Sequence, residues 1–133
     1  MIRPGRIRFR FPRAARLNRA SEFALLKTEG KSWTGKHLVL ATLARGEETR
    51  IGIITARRLG PAIVRNRVRR RIREIFRQNR PRLRNGLWLV TIARATSVQA
   101  SYDDLLRDWL RLAERASIFL PRHPNAEDPA QSL

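Results

Sequence analysis

The chain has 133 residues, with 29 lysines and arginines against 11 acidic residues and a net charge of +18. This length suits one domain with an ordinary hydrophobic core, and the lack of cysteine excludes disulfides, thiolate catalysis and cysteine-ligated zinc and fits a reducing, cytoplasmic location. The positive field predicts an anionic partner, either nucleic acid or a membrane surface, although no apolar run approaches the roughly 20 residues of a membrane span.

Residues 1–15 are predicted to form a flexible basic arm. Arginines alternate there with apolar residues, while Pro4, Gly5 and Pro12 break any helix. An edge strand is the alternative structure. The segment lacks the continuous apolar stretch of a secretory signal, but its arginine-rich, acid-poor composition also fits a mitochondrial-type transit peptide.

A first helix is predicted over residues 18–29. Asn18 or Ser21 can cap its start. Phe23 lies on its short apolar face, and Gly30 supplies a C-terminal stop.

Three strands are expected next. Ser32–Trp33 forms a very short one, and Lys36–Leu43 and Thr49–Ala56 are rich in β-forming residues. Because Gly46 lies in the short segment between the last two, we expect them to pair as an antiparallel hairpin.

The strongest helical pattern spans residues 61–79, with Pro61 in the first turn. At about 100° per residue, five apolar side chains fall on one stripe roughly 120° wide, which predicts a face that packs on a core. These residues are Val64, Val68, Ile72, Ile75 and Phe76.

The opposite side of this helix is almost purely basic. Between Arg57 and Arg84 there are twelve arginines and one acid, Glu74. Like charges one helical turn apart each cost a few tenths of a kcal/mol, and an ordinary solvated face carries mixed signs. We therefore expect an RNA-binding surface, since guanidinium grips phosphate and stacks on bases. Codon usage in a GC-rich genome could favour arginine over lysine, but it does not explain the net charge.

The C-terminal third begins with Gly86–Ala93, an apolar run expected to form a central strand covered on both faces. Ser101 and Asp104 resemble a capping box, which an amphipathic last helix follows. Residues 121–133 are expected to be a disordered tail. The order αβββαβα predicts a single α+β domain, in which helices pack on a small mixed four-stranded sheet.

Groups able to cut RNA are sparse. The histidines are His37 and His123, and the second lies in the expected tail, so an acid–base pair is not expected. Asp103, Asp104 and Asp108 share the last helix, where capping and solvating roles are favoured over a two-metal site. The chain is therefore not expected to catalyse by itself.

The segment Arg57–Glu74 resembles the signature of the bacterial ribonuclease P protein subunit. That pattern has two basic residues, a glycine, a short apolar step and an Arg-Asn-Arg core, followed by further basic residues at helical spacing. Upstream, Arg16–Leu17, Phe23 and Gly30 match the opening of the family pattern. Downstream, Gly86–Arg94 matches a strand that ends in arginine.

The resemblance implies that residues 16–120 are the protein component of ribonuclease P. In this family a large RNA subunit performs the hydrolysis that removes the 5′ leader from precursor tRNA, with Mg²⁺ held mainly by the RNA. The protein binds the leader and the RNA subunit, with no membrane and no small-molecule cofactor. The family fold resembles the second domain of ribosomal protein S5, with a left-handed crossover that departs from the general rule.

The resemblance also implies which residues meet RNA. The positions that match the basic signature are Arg57, Arg58, Arg65, Asn66, Arg67, Arg69, Arg70 and Arg73. Arg77 joins them because it lies on the same side of the helical wheel. Asn66 could instead have a structural role, by capping or by bridging backbone groups, or it could hold water around a metal ion, although no metal site is certain from the sequence.

A leader-binding cleft is expected between the first helix and the sheet. Phe23 matches an aromatic residue that lines this cleft in the family, although the ring could equally belong to the core. Lys27 stands where the family often has a second aromatic and Ala41 where some members have tyrosine, so we expect a more electrostatic grip. Lys36 and His37 open the facing strand and could supply part of it.

Two other functions stay open on the sequence alone. One is a ribosomal or other structural RNA-binding protein with a similar fold and no processing role. The other is a protein that binds an anionic membrane surface.

Overall fold

A computed structural model of the chain describes residues 16–17 and 20–121. The predicted α+β class and the order αβββαβα are confirmed. The helices are α1 (Ala20–Glu29), α2 (Ala62–Asn79) and α3 (Tyr102–Ala116), and the strands are β1 (Lys31–Thr34), β2 (Leu38–Ala44), β3 (Arg50–Ile54) and β4 (Leu87–Ala93). The expected arm 1–15, the candidate cap Asn18 and residues 122–133 of the expected tail lie outside the described residues.

The four strands form one mixed sheet in the order β1-β2-β4-β3. β4 runs antiparallel to β2 on one side and parallel to β3 on the other, so its predicted central position and the predicted mixed sheet are confirmed. The hairpin expected from β2 and β3 is wrong, because β4 lies between the two strands. The apolar run of β4 suits this central place, where α2 and α3 cover one face of the sheet and α1 covers part of the other.

The helices α2 and α3 cover one face of the sheet with the main core. Phe76 of α2 and Trp109 of α3 meet edge to face, with ring centroids 5.6 Å apart. The indole N–H of Trp109 donates to the hydroxyl of Thr91 in β4 at 3.1 Å. The predicted stripe of α2 is confirmed, with Val68, Ile72, Ile75 and Phe76 buried and Val64 half-buried at its start.

The helix α1 covers the opposite face only in part. Leu26 of α1 and Leu17 pack on Val90 of β4 and form a second, smaller core cluster. A Cβ atom at Gly30 would lie 2.4 Å from the carbonyl oxygen of Leu26 and 2.6 Å from that of Thr42. Gly30 therefore ends α1 by allowing close packing on β2, and not through the left-handed backbone often found after a helix.

The start of α3 has the predicted capping box. The hydroxyl of Ser101 accepts the backbone N–H of Asp104 at 3.1 Å, and the Asp104 carboxylate accepts the backbone N–H of Ser101. The hydrogen bonds from the Ser101 side chain and backbone hold the pKa of Asp104 below its ordinary value. The capping role expected for Asp104 is confirmed.

A buried carboxylate ties α3 to the turn between β1 and β2. Asp108 is 3% exposed, and it accepts the backbone N–H groups of Lys36 at 3.1 Å, His37 at 2.9 Å and Leu38 at 2.9 Å. Gly35 leaves room for this contact, since a Cβ atom there would lie 2.6 Å from the carboxylate. The solvating role considered for Asp108 is therefore wrong, because backbone donors and not water surround the group.

We predict that Asp108→Ala strongly destabilises the fold. The change leaves three backbone N–H groups without their charged acceptor, and we expect the free energy of unfolding to fall by about 3 kcal/mol. Urea denaturation measures this loss. The matched control is Asp103→Ala, an exposed acid of the same helix, which should cost less than about 1 kcal/mol. Equal losses in the two variants would contradict the structural role of Asp108.

Candidate nucleic-acid interface

The outer side of α2 and the 3-10 turn Arg57–Leu59 before it carry most of the predicted RNA contacts. We call their basic residues the arginine row, which consists of Arg57, Arg58, Arg65, Arg67, Arg69, Arg70 and Arg73. Five of these side chains are exposed, and Arg65 and Arg69 are half-buried. Asn66 is exposed among them, and no hydrogen bond within the described part of the chain engages its amide.

The two half-buried members of the arginine row are held by the protein. Arg65 Nε donates to the carbonyl oxygen of Gly60 at 3.2 Å. Arg69 Nη2 donates to the hydroxyl of Thr55, the residue after β3, at 2.5 Å. The row is thereby fixed along the β3 edge of the sheet.

Arg73 lies in a cluster of like charges. Arg73 is exposed as a whole, but partial burial of its guanidinium lowers the pKa of this group, and the nearby charges of Arg16, Arg69 and Arg70 lower it further. An arginine starts from so high a pKa that Arg73 stays charged at neutral pH. Such a cluster is unfavourable until an anion joins it, so this part of the row is suited to phosphate.

Arg16 also belongs to this charged cluster. It is not among the RNA contacts expected from the sequence. It pairs with Ile51 of β3 through an isolated parallel bridge, which carries it from the start of the chain to the same edge as α2. A short bridge of this kind leaves no periodic pattern, so only the match of Arg16–Leu17 to the family pattern could have signalled it.

Two further arginines of α2 are bound by the protein itself. Arg77 forms an ion pair with Glu74, in which Arg77 Nε donates to Oε2 at 2.7 Å. Arg71 Nη1 donates to the carbonyl oxygen of Ala100 at 2.7 Å. The hydrogen bond from Arg77 holds the pKa of Glu74 below its ordinary value. The basic face is therefore partly neutralised here, and the RNA contact expected at Arg77 stays a prediction.

A cleft of about 430 Å³ lies between α1 and the part of the sheet that α1 leaves open. We call it the α1 cleft. Phe23 and Lys27, two residues assigned to such a cleft on sequence, line it from α1, and Lys31 lines it from the start of β1. Its floor is apolar and is formed by Val39, Ala41, Ile54, Val90 and Ile92. Sequence reasoning missed Lys31, because it lies in β1 and reaches the cleft only through the packing of α1 on the sheet.

Phe23 belongs to both the cleft and the core. Its half-buried ring packs on the small cluster of Leu17, Leu26 and Val90. A Cβ atom at Gly52 would lie 3.1 Å from Phe23 Cε1. The ring is therefore seated on the bare backbone of β3, with part of its surface open to the cleft.

Lys36 and His37 lie elsewhere. They are not among the residues that line the α1 cleft, and their backbone N–H groups bind Asp108 of α3. The ring nitrogen Nδ1 of His37 lies 3.0 Å from the hydroxyl of Thr96. The structure thus brings Phe23 and Lys27 together in the α1 cleft and leaves Lys36 and His37 outside it.

The α1 cleft and the arginine row meet at the end of β3. Ile54 lines the cleft, and the next residue, Thr55, accepts the hydrogen bond from Arg69. Because successive side chains of a strand point to opposite faces of the sheet, the cleft and the row approach this end of β3 from opposite faces.

Neither a metal site nor a membrane span is found in the described ranges. Within 16–17 and 20–121, no three histidine, cysteine or acidic side chains cluster in a way that could hold a metal ion. No helix in the same ranges is long and apolar enough to cross a bilayer.

Comparison with known proteins gives consistent matches. A family model described as Ribonuclease P matches residues 11–117. The chain is 35% identical over 108 residues to the ribonuclease P protein component of Symbiobacterium thermophilum, which is 80% of this chain and 94% of that protein. The corresponding protein of Clostridioides difficile is 36% identical over 110 residues, or 81% and 96% of the two chains.

Solved structures show the same likeness. The RNase P protein from Thermotoga maritima matches with a TM-score of 0.69 and 30% identity, over 75% of this chain and 96% of that one. The Staphylococcus aureus RNase P protein has a similar fold, with a TM-score of 0.75 and 23% identity over 81% of this chain and 100% of that chain.

We predict that replacing Arg70 and Arg73 together by alanine leaves the fold intact and weakens RNA binding. Both side chains are exposed, and loss of two phosphate contacts should flatten the plot of log affinity against log salt by about two. Fluorescence anisotropy with a bacterial ribonuclease P RNA measures the slope.

The matched control replaces Arg111 and Arg115, two exposed arginines of α3. It removes the same charge from another surface and should change the slope little. If both pairs flatten the slope equally, net charge and not the arginine row governs binding.

Proposed function

The chain belongs to the ribonuclease P protein family and is a protein component of that ribonucleoprotein, and from this premise we propose a division of labour between its two surfaces. The arginine row binds the RNA subunit, and the α1 cleft binds the 5′ leader of precursor tRNA. The observation that carries the proposal is the junction at Ile54 and Thr55, where the cleft and the row adjoin.

The chemistry of the α1 cleft suits single-stranded RNA. A base can stack on the open part of the Phe23 ring, while Lys27 and Lys31 attract the backbone phosphates. A cleft of about 430 Å³ is within the usual size of sites that enclose a small ligand, so it takes a short stretch of the leader and not a folded tRNA.

The grip on the leader is more electrostatic than aromatic. The floor of the cleft is aliphatic and includes Ala41, and Phe23 is its aromatic lining residue. Stacking tolerates any base but needs a ring for each one, whereas lysines act on phosphates that every leader has. Binding should therefore depend weakly on leader sequence and strongly on salt.

Hydrolysis, in this proposal, belongs to the RNA subunit. Mg²⁺ bound by that RNA would activate water and stabilise the leaving oxygen. The described residues of the chain do not fit a magnesium site, since no cluster of carboxylates is present among them. The buried carboxylate of Asp108 is already bound by three backbone N–H groups. The side chains of the protein bind and orient the RNA and neutralise its phosphates.

Leader binding is tested by comparing precursor tRNA with leaderless tRNA on the reconstituted RNA–protein complex. Phe23→Leu keeps an apolar side chain on the core but removes the stacking ring, so affinity for the precursor should fall about tenfold. Lys27→Ala should weaken precursor binding and flatten its salt slope by about one. Neither change should alter the affinity for leaderless tRNA.

Lys36→Ala tests whether the leader binds the α1 cleft as the structure outlines it, because the sequence alone also assigned Lys36 to the leader-binding cleft. The charge lost equals that of Lys27→Ala, but Lys36 does not line the α1 cleft. We expect precursor affinity to be unchanged. A loss equal to that of Lys27→Ala, or equal losses on leaderless tRNA, would overturn the assignment of the leader to this cleft.

A further inference from the structure

An apolar side chain stands on the basic surface without a role in the core. Ile63, in the first turn of α2, is 79% exposed. Within the described residues the only other exposed large apolar side chain is Leu120, which is 49% exposed. Helical spacing places Ile63 on the same face as Asn66, Arg67 and Arg70. It therefore lies at the start of α2, on the side that carries the arginine row.

The backbone holds Ile63 in a fixed position. The N–H groups of Val64 and Arg65 donate to the carbonyl oxygen of Pro61 at 3.0 and 3.1 Å, and Arg65 Nε reaches back to the carbonyl oxygen of Gly60. The side chain is thus presented on a rigid first turn, and little ordering is needed when a partner binds.

The surroundings of Ile63 select the partner. Glu74 is the single acid of α2. It lies about three turns from Ile63 and is paired with Arg77. A second copy of this strongly basic chain would bring like charges together, whereas RNA brings phosphates. Phosphates offer no apolar surface, so an isoleucine among them can contact only a base or a sugar.

We propose that Ile63 packs against an unstacked nucleobase of the ribonuclease P RNA. The inference rests on the proposed binding of that RNA by the arginine row. Phosphates are alike along the chain and fix no register. An apolar contact with one exposed base adds affinity that salt does not screen, and it sets where on the RNA the row binds.

The test measures the affinity for a bacterial ribonuclease P RNA over a range of salt concentrations. It separates the slope of the plot of log affinity against log salt from its intercept. Ile63→Ala should bind about tenfold more weakly at every salt concentration, with an unchanged slope. Alanine is the better helix former, so unfolding of α2 cannot cause the loss. Ile63→Leu should retain most of the affinity.

Ile63→Lys gives the sharpest contrast. If only charge matters, the added lysine should tighten binding at all salt concentrations. If Ile63 meets a base, the slope becomes steeper, but at high salt the variant binds more weakly than the unaltered chain. Tighter binding at all salt concentrations, or no effect of Ile63→Ala, would overturn the inference.

Two controls complete the design. Leu120→Ala changes an exposed apolar residue whose N–H donates to the carbonyl oxygen of Arg82. This residue lies beyond the other end of α2, roughly 25 Å from Ile63. The change should have no effect on the affinity for RNA. A fully paired RNA duplex offers no unstacked base, so Ile63→Ala should bind it as well as the unaltered chain. An equal loss on the duplex would contradict a base contact, as would an Ile63-dependent dimer in sedimentation.

The outcomes also distinguish this inference from the proposed function. If the unaltered chain fails to bind ribonuclease P RNA, the role of the arginine row is wrong. If it binds and Ile63→Ala binds equally well, only the base contact is wrong.

Discussion

The packing of α2 on the sheet and on α3 is the interaction on which the rest of the molecule depends. Its inner stripe is held by Phe76 against Trp109, whose indole is itself anchored to Thr91 of β4. That burial offsets the repulsion among arginines on the outer side of the same helix. The core and the binding surface are thus two sides of one element, and the repulsion that remains is relieved when an anion binds.

The unequal covering of the sheet has a similar consequence. Two helices of 15 and 18 residues bury one face, while α1, with 10 residues, covers part of the other. The uncovered strip becomes the floor of the α1 cleft. Because β3 is an edge strand, its end adjoins both this cleft and the arginine row. The order of the strands therefore places the proposed leader site beside the proposed site for the RNA subunit.

Sequence patterns predicted what is local and periodic in this fold. The amphipathic repeat of α2, the apolar run of β4 and the capping box at Ser101 each reflect neighbouring residues, and each is confirmed. The pairing of β2 with β3 was wrong because a turn signal says nothing about a third strand that can enter between them. Arg16, Lys31 and the buried contact of Asp108 were missed since they depend on long-range neighbours.

Cleavage of a precursor tRNA at low magnesium tests the central claim, that the protein serves the RNA by binding and not by catalysis. Three reactions are compared, with a bacterial ribonuclease P RNA alone, with the chain alone and with both. The account predicts no cleavage by the chain, slow cleavage by the RNA and a large gain when they are combined. Leader removal by the chain alone, or no gain on combining the two, would contradict it.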